Sequence, residues 1–137
     1  MTSMTDADHI RNTIARFSHA LDERRFQDWA NQFLPDGQFG NKKGRDVIFK
    51  SISDGELAHV PSLKRKHAVM NIDVTVNGDK ATAVSDLVMF DKYGDDPWFV
   101  AGVGKYNDDL ERTADGQWLF RRRILNWVQR VEPRPYK

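Results

Sequence analysis

Residues 8–37, DHIRNTIARFSHALDERRFQDWANQFLPDG, decide the fold. Ile10, Ile14, Phe17 and Leu21 recur at spacings of four, three and four, which stacks them into one helical stripe that needs a core. Asp22 follows at about 100° round the helix, on the edge of that stripe, so its carboxylate can lean over the core that Leu21 enters. Past the polar linker Glu23 to Arg25, the residues Phe26, Trp29, Ala30 and Phe33 give a second apolar stripe, closed by Leu34, Pro35, Asp36 and Gly37. Upstream, Thr5 and Asp8 have the spacing of a capping box for the first helix, and Met1 to Met4 are expected to fray.

Working outward, Gln38 to Asn41 is expected to be a short strand, Lys42 to Gly44 a polar turn, and Val47, Ile48, Ile52 and Leu57 a weaker third helix interrupted by Gly55 and ending before Pro61. From His67 the period changes to two. His67 to Val76 predicts a long strand with Ala68, Met70, Ile72, Val74 and Val76 on one side, and Asn77, Gly78 and Asp79 the hairpin turn after it. Lys80 to Asp91, Trp98 to Arg112 and Trp118 to Val131 are the next three strands, joined by Tyr93–Pro97 and Thr113–Gln117, and Pro133 and Pro135 end the order. The expectation is a single domain over 1–137 of the α+β class: a curved, mostly antiparallel sheet wrapped around three N-terminal helices, a cone with an internal pocket. Tyr106, Leu110 and Trp127 are candidates for a dimer contact on the outer face of that sheet.

Composition narrows the partners. A formal net charge of +1 with 30% charged residues of both signs gives no global field toward nucleic acid or an anionic membrane. Without cysteine there is no disulfide, thiolate metal site or cysteine nucleophile. No apolar run approaches the ~20 residues needed to span a bilayer, and the start lacks a basic-then-apolar signal pattern. A cytoplasmic protein is expected.

Three blocks, ARFSHALDERRFQDWANQFLPDGQF, KHAVMNIDVTVNGDKATAVS and GKYNDDLERTADGQWLFRRRI, in this order and spacing, resemble the SnoaL-like branch of the nuclear transport factor two (NTF2-like) superfamily over almost the whole chain. The resemblance implies the α+β cone, a mostly apolar pocket and homo-oligomers, dimer or trimer. It also implies relatives that include polyketide cyclases, scytalone dehydratase, hexachlorocyclohexane dehydrochlorinase and small subunits of ring-hydroxylating dioxygenases. One fold hosts many chemistries, so the resemblance does not choose among them.

In the dehydratase and dehydrochlorinase relatives an aspartate ending the first helix pairs with a histidine opening the first long strand. Asp22 and His67 occupy the matching positions. A carboxylate accepting from one imidazole nitrogen fixes the tautomer and leaves the other as a base, so His67 is the candidate general base and Asp22 its orienting partner. Taken singly, such an aspartate is more often a solvated cap or ion-pair partner and such a histidine more often a surface residue; it is the two together at the family positions that carry the reading. Strand alternation places His67 opposite Met70 and Ile72, a conflict that a bulge after His67 would remove. Phe17, Leu21, Trp29, Phe39, Val88, Val103 and Phe120 are candidate pocket residues for a small apolar or aromatic molecule, and Arg122 a candidate anchor for an anionic or carbonyl group. Trp98 and Phe33 join the aromatic core. The basic run Lys64, Arg65 and Lys66 is expected to be solvated. No spacing suggests a metal site, and no phosphate loop follows a strand.

Departures from the relatives restrict the chemistry. Lys80 to Arg112 holds no second histidine of the scytalone dehydratase kind, and Phe17 stands where a ketosteroid isomerase-like site needs tyrosine. The sequence thus points first to a cofactor-independent lyase, cyclase or isomerase acting through His67 and Asp22. A non-catalytic ligand-binding or assembly module of the same fold is the second reading, and a hydrolase activating water through His67 the third.

Overall fold

Helix α1 (Asp6–Asp22) starts where the sequence places its cap. In the computed structural model, which describes residues 3–132, the Thr5 hydroxyl accepts from the Asp8 N–H and the Asp8 carboxylate accepts from the Thr5 N–H, both at 3.1 Å. Ile10, Ile14, Phe17 and Leu21 are buried together with Thr13, Ser18 and Ala20. The chain turns at Arg24, a non-glycine residue with φ of 58°, into α2 (Phe26–Ala30). This helix is shorter than the sequence predicts. Phe33 already opens strand β1 (Phe33–Phe39), because Pro35 cannot carry a helix onward, yet its ring remains in the same core. Lys42 and Lys43 form strand β2 rather than a turn, the turn falling at Gly40 and Asn41. The third helical stretch divides at Gly55 into α3 (Arg45–Ser53) and α4 (Glu56–His59).

The four long strands are β3 (Leu63–Asn77), β4 (Lys80–Tyr93), β5 (Phe99–Arg112) and β6 (Trp118–Arg130). Strand β3 begins four residues before His67. The six strands form one open sheet in the order β2-β1-β6-β5-β4-β3, parallel only between β1 and β6. The expected strand ends at Pro133 and Pro135 lie outside the described residues, as do Met1 and Thr2; Met4 is exposed. No helix among the described residues is long and apolar enough to cross a membrane.

Helices and sheet meet around Phe17, whose ring lies 5.5 to 6.1 Å from those of Trp29, Phe33, Phe39, Tyr106 and Phe120. Edge-on and tilted pairs of this kind add to what burial alone contributes. The Thr13 hydroxyl donates to the Trp118 carbonyl at 2.6 Å and the Trp118 indole to Asp6 at 3.1 Å, which fixes α1 along β6.

Of the four one-residue register shifts among the long strands, which also leave Ala101 and Val128 surplus, two set the faces of the residues that matter here, one on β3 and one on β6. On β3 the pairing moves from Met70↔Asp86 to Asp73↔Val84, leaving one residue surplus, and Asn71 takes it up at φ 54°. Leu63, Arg65, His67 and Val69 therefore share the inner face with Ile72 and Val74, while Met70 points out and is exposed. The expected apolar side is corrected accordingly: Ala68 and Met70 leave it, while Val76, paired with the buried Ala81, stays in line with Ile72 and Val74. On β6 the pairing moves from Leu110↔Phe120 to Asp109↔Arg122, with Arg121 surplus. Tyr106 and Leu110 are 1% exposed inside the core, so neither is available for the outer-face contact expected of them. Trp127 pairs with Gly104 on the inner face, its indole lying where a Cβ on Gly102 would collide with it, but it is 36% exposed; Trp98, at 44%, is exposed instead of joining the core.

The left-handed backbone of Asn71 yields the first prediction. Asn71→Val should lower stability by about 1–2 kcal/mol, because a β-branched residue resists that conformation, and Asn71→Gly should not. Urea denaturation midpoints of the two variants check it; equal midpoints would mean that the bulge can relax.

Candidate functional site

The end of α1 meets the edge strand β3 through one carboxylate. Asp22 Oδ1 lies 2.6 Å from His67 Nδ1, and Asp22 Oδ2 accepts the His67 backbone N–H at 3.0 Å. The two side chains are 15% and 6% exposed. An ionised Asp22 can only accept, so Nδ1 carries the proton and Nε2 keeps its lone pair for another partner. The β3 bulge makes this meeting possible, since it lets His67 and the apolar residues further along the strand occupy one face.

An arginine lies two residues from each member of the pair. Arg24 donates to the carbonyls of Leu57, at 3.1 Å, and of Leu63. Arg65 is buried rather than solvated: it grips Asp91 through two bonds of 2.7 and 2.8 Å and reaches Glu56 at 2.8 Å. Burial pulls its guanidinium toward the neutral form and these two carboxylates more than reverse that, so it stays charged. Lys64 and Lys66 point outward, as alternation requires.

Deeper in the core the sequence reading chose the wrong arginine. Arg122 is exposed beside Gln38, Lys43 and Asp109 in a surface cleft of about 670 Å³, whereas Arg123 is fully buried, because the surplus Arg121 shifts the alternation by one. The Arg123 guanidinium lies 3.4 Å from the ring centre of Tyr106, 4.3 Å from Phe17 and 4.7 Å from Phe120. Asp108 is its counter-ion at 3.0 Å, but the N–H is not aligned as a hydrogen bond, and among the described residues all three guanidinium nitrogens and both carboxylate oxygens lack hydrogen-bond partners. Ser18 Oγ, Ser85 Oγ and Trp29 Nε1 are likewise buried and unpaired. Ser18 sits one helical turn before Asp22, and Ser85 pairs in register with Tyr106. Burial raises the Tyr106 phenol to about 12 against the pull of Arg123, and burial raises the Asp108 carboxyl to about 6, with Arg123 opposing.

The other expected site residues divide by strand face. Phe17, Trp29 and Phe120 are at most 1% exposed and pack ring to ring, with Leu21 and the partly buried Phe39 beside them. Val88 and Val103 are register partners on the opposite, outer face and cannot line the interior; the inward residues there are Leu87, Met89 and Gly104. A polar cleft of about 710 Å³ at the far end of the sheet involves Arg16, Arg45 and Gln117, none of them near the pair. Among the described residues no three histidine or carboxylate side chains converge so as to hold a metal ion.

A family model of the SnoaL-like domain matches residues 2–124. The uncharacterized protein Rv2910c of Mycobacterium tuberculosis is 31% identical over 130 residues, which cover 89% of this chain and 86% of that one. An NTF2-like protein with a cystatin-like fold from Novosphingobium aromaticivorans superposes with a TM-score of 0.82 at 25% identity, over 90% of this chain and 82% of that one. A Catenulispora acidiphila protein solved in complex with S-DNPA has a TM-score of 0.77 at 24% identity, over 87% and 90% of the two chains.

Two measurements follow from the geometry. Ring nitrogen NMR of His67 should show one fixed tautomer, protonated at Nδ1, in the neutral imidazole, and a mixture in Asp22→Asn. Asp108 is protonated more readily in the folded chain, at about 6, than at its ordinary 3.8, so the folded state binds the extra proton between these values. Its contribution to stability is therefore largest below about 4 and falls as pH rises through about 6, by up to about 3 kcal/mol. Denaturation midpoints of wild type and Asp108→Asn across this range should differ by an amount that changes only inside the window.

Proposed function

The chain belongs to the SnoaL-like family, and from that premise we propose that it is a cofactor-independent lyase, cyclase or isomerase acting on a small, mostly apolar or aromatic molecule, with His67 as general base. The observation that carries this reading is the imidazole held by Asp22 at 2.6 Å, on the face of the sheet that also holds the unpaired polar groups of Ser85, Asp108 and Arg123. An unpaired buried polar group costs about 1–3 kcal/mol, and an apolar core that served only stability would not accumulate five such side chains. That another member of this fold is solved with S-DNPA agrees with a small-molecule ligand.

The chemistry is proton abstraction from carbon. His67 Nε2 takes the proton, and the C–H electron pair forms a double bond. Where a leaving group stands on the adjacent carbon it departs with its own electron pair, giving elimination; where a carbonyl stands there, its oxygen takes the charge as an enolate. Asp22 stabilises the imidazolium that forms. Arg123, behind the Tyr106 ring, supplies positive charge to the interior in the role that the sequence reading gave to Arg122.

A panel of aromatic, halogenated and polyketide-like compounds tests the proposal. With a substrate found, His67→Gln should lower kcat by about 10²–10⁴ with the fold retained by circular dichroism. Full activity in that variant would overturn the assignment. Specific binding of panel members without turnover by the wild type would move the chain to the non-catalytic reading.

A further inference from the structure

We propose that the cleft between α1 and the β5–β6 hairpin binds the phosphate group of a small polar molecule through Arg16 and Arg45. The cleft has a volume of about 710 Å³ and lies at the end of the sheet where β6 begins. His67 is at the other end, in the row that runs through Met89 and Gly102 to Arg130 near the close of β6. One wall is a face of α1, where His9, Thr13 and Arg16 follow at spacings of four and three; Arg45, the first residue of α3, and Gln117 of the hairpin complete it.

Charge singles this cleft out. Among the described residues most arginines lie within 4.0 Å of a carboxylate, and Arg24 is taken up by two carbonyls. Arg16, Arg45 and Arg122 have no carboxylate partner among the described residues, and the first two line the same cleft. Arg45 is nevertheless held in place: its Nε and Nη2 donate to the Phe33 carbonyl, at 3.1 and 2.5 Å, which leaves the Nη1 hydrogens uncommitted. Arg16 is exposed on α1 and free to close on a ligand. The carboxylate that lines the cleft, Asp115, accepts from the Thr113 hydroxyl, so positive charge is in excess there.

Two arginines on different elements also select the shape of the anion. A carboxylate is matched by a single guanidinium fork, whereas a phosphate monoester carries more charge and a third terminal oxygen, enough for forks arriving from α1 and from the start of α3. The cleft is larger than a bare phosphate ion, and Asn31, Gln32 and Gln117 line it with amides, which both donate to and accept from hydroxyls. A phosphorylated molecule with a hydroxyl-bearing body fits this lining. The site stands apart from the chemistry proposed for His67, and either can fail without the other.

NMR titrations at constant ionic strength test the assignment, read at the main-chain amides of Gly116 and Gln117 and at the arginine Nε–H groups. Inorganic phosphate should shift these signals saturably, and glucose 6-phosphate should do so at a concentration at least about threefold lower. Arg16→Gln should weaken phosphate binding by about tenfold, as loss of one charge-assisted contact implies. Arg122→Gln, which removes the same charge from a different cleft, should leave it unchanged. Equal losses in these two variants would reveal diffuse attraction to the surface and overturn the site, as would shifts that never saturate. Acetate binding as tightly as phosphate would overturn the phosphate assignment, and equal affinity for the two phosphates would overturn that of a larger ligand. Arg45→Gln should act like Arg16→Gln; should it fail to fold, Arg16→Gln decides alone.

Discussion

One carboxylate has to satisfy two donors of the same residue. Asp22 ends α1, and its oxygens take both the ring N–H and the main-chain N–H of His67, which ties the last turn of the helix to the edge strand of the sheet. That double attachment requires the apolar stripe of α1 to be seated along β6 and β3, because a rotation of the helix by one residue would carry Asp22 away from the strand. It also requires an inward-facing His67. The cap at Thr5, the Thr13 and Trp118 contacts and the β3 bulge all serve the same placement.

The interior beyond this point is costly by design or by use. A guanidinium inside an aromatic cluster gains from the ring faces, but five unpaired nitrogen and oxygen atoms in the Arg123–Asp108 pair represent desolvation that the pairing does not recover. Ordinary cores avoid such groups. The fold carries them inside a closely packed aromatic cluster, on the sheet face that also holds His67.

Periodicity made the helices and the four long strands legible. The stripe of Ile10, Ile14, Phe17 and Leu21, the Thr5–Asp8 box and the Asn77–Asp79 turn follow from spacing and turn chemistry alone. The family resemblance drew attention to Asp22 and His67, which composition could not separate from other surface groups. What the sequence left hidden was parity. Alternation in strict twos puts Arg122 inside and Val88 and Val103 along the pocket, and it cannot register a surplus residue at Arg121 or Asn71. Of these, only Asn71 carries a local signal, since asparagine tolerates a left-handed backbone better than its neighbours. The solvated appearance of Arg65 misled for a different reason: its partners Glu56 and Asp91 are remote in sequence, and a charge run gives no sign that one member is neutralised from elsewhere in the fold.

The two surplus residues differ in what they would tolerate in descent. If the β6 distortion were ironed flat with no change in length, Arg122 would enter in place of Arg123, and the buried cation would survive under a different number. Three arginines in a row thus make the sign of the interior charge immune to slippage of that strand. Ironing out Asn71 has no such insurance, for it would send Asn71 and Asp73 into the core and expel Ile72 and Val74. Among related chains, irregular alignment around 121–123 is therefore compatible with an unchanged interior, whereas the same irregularity around 70–73 would signal a rebuilt one.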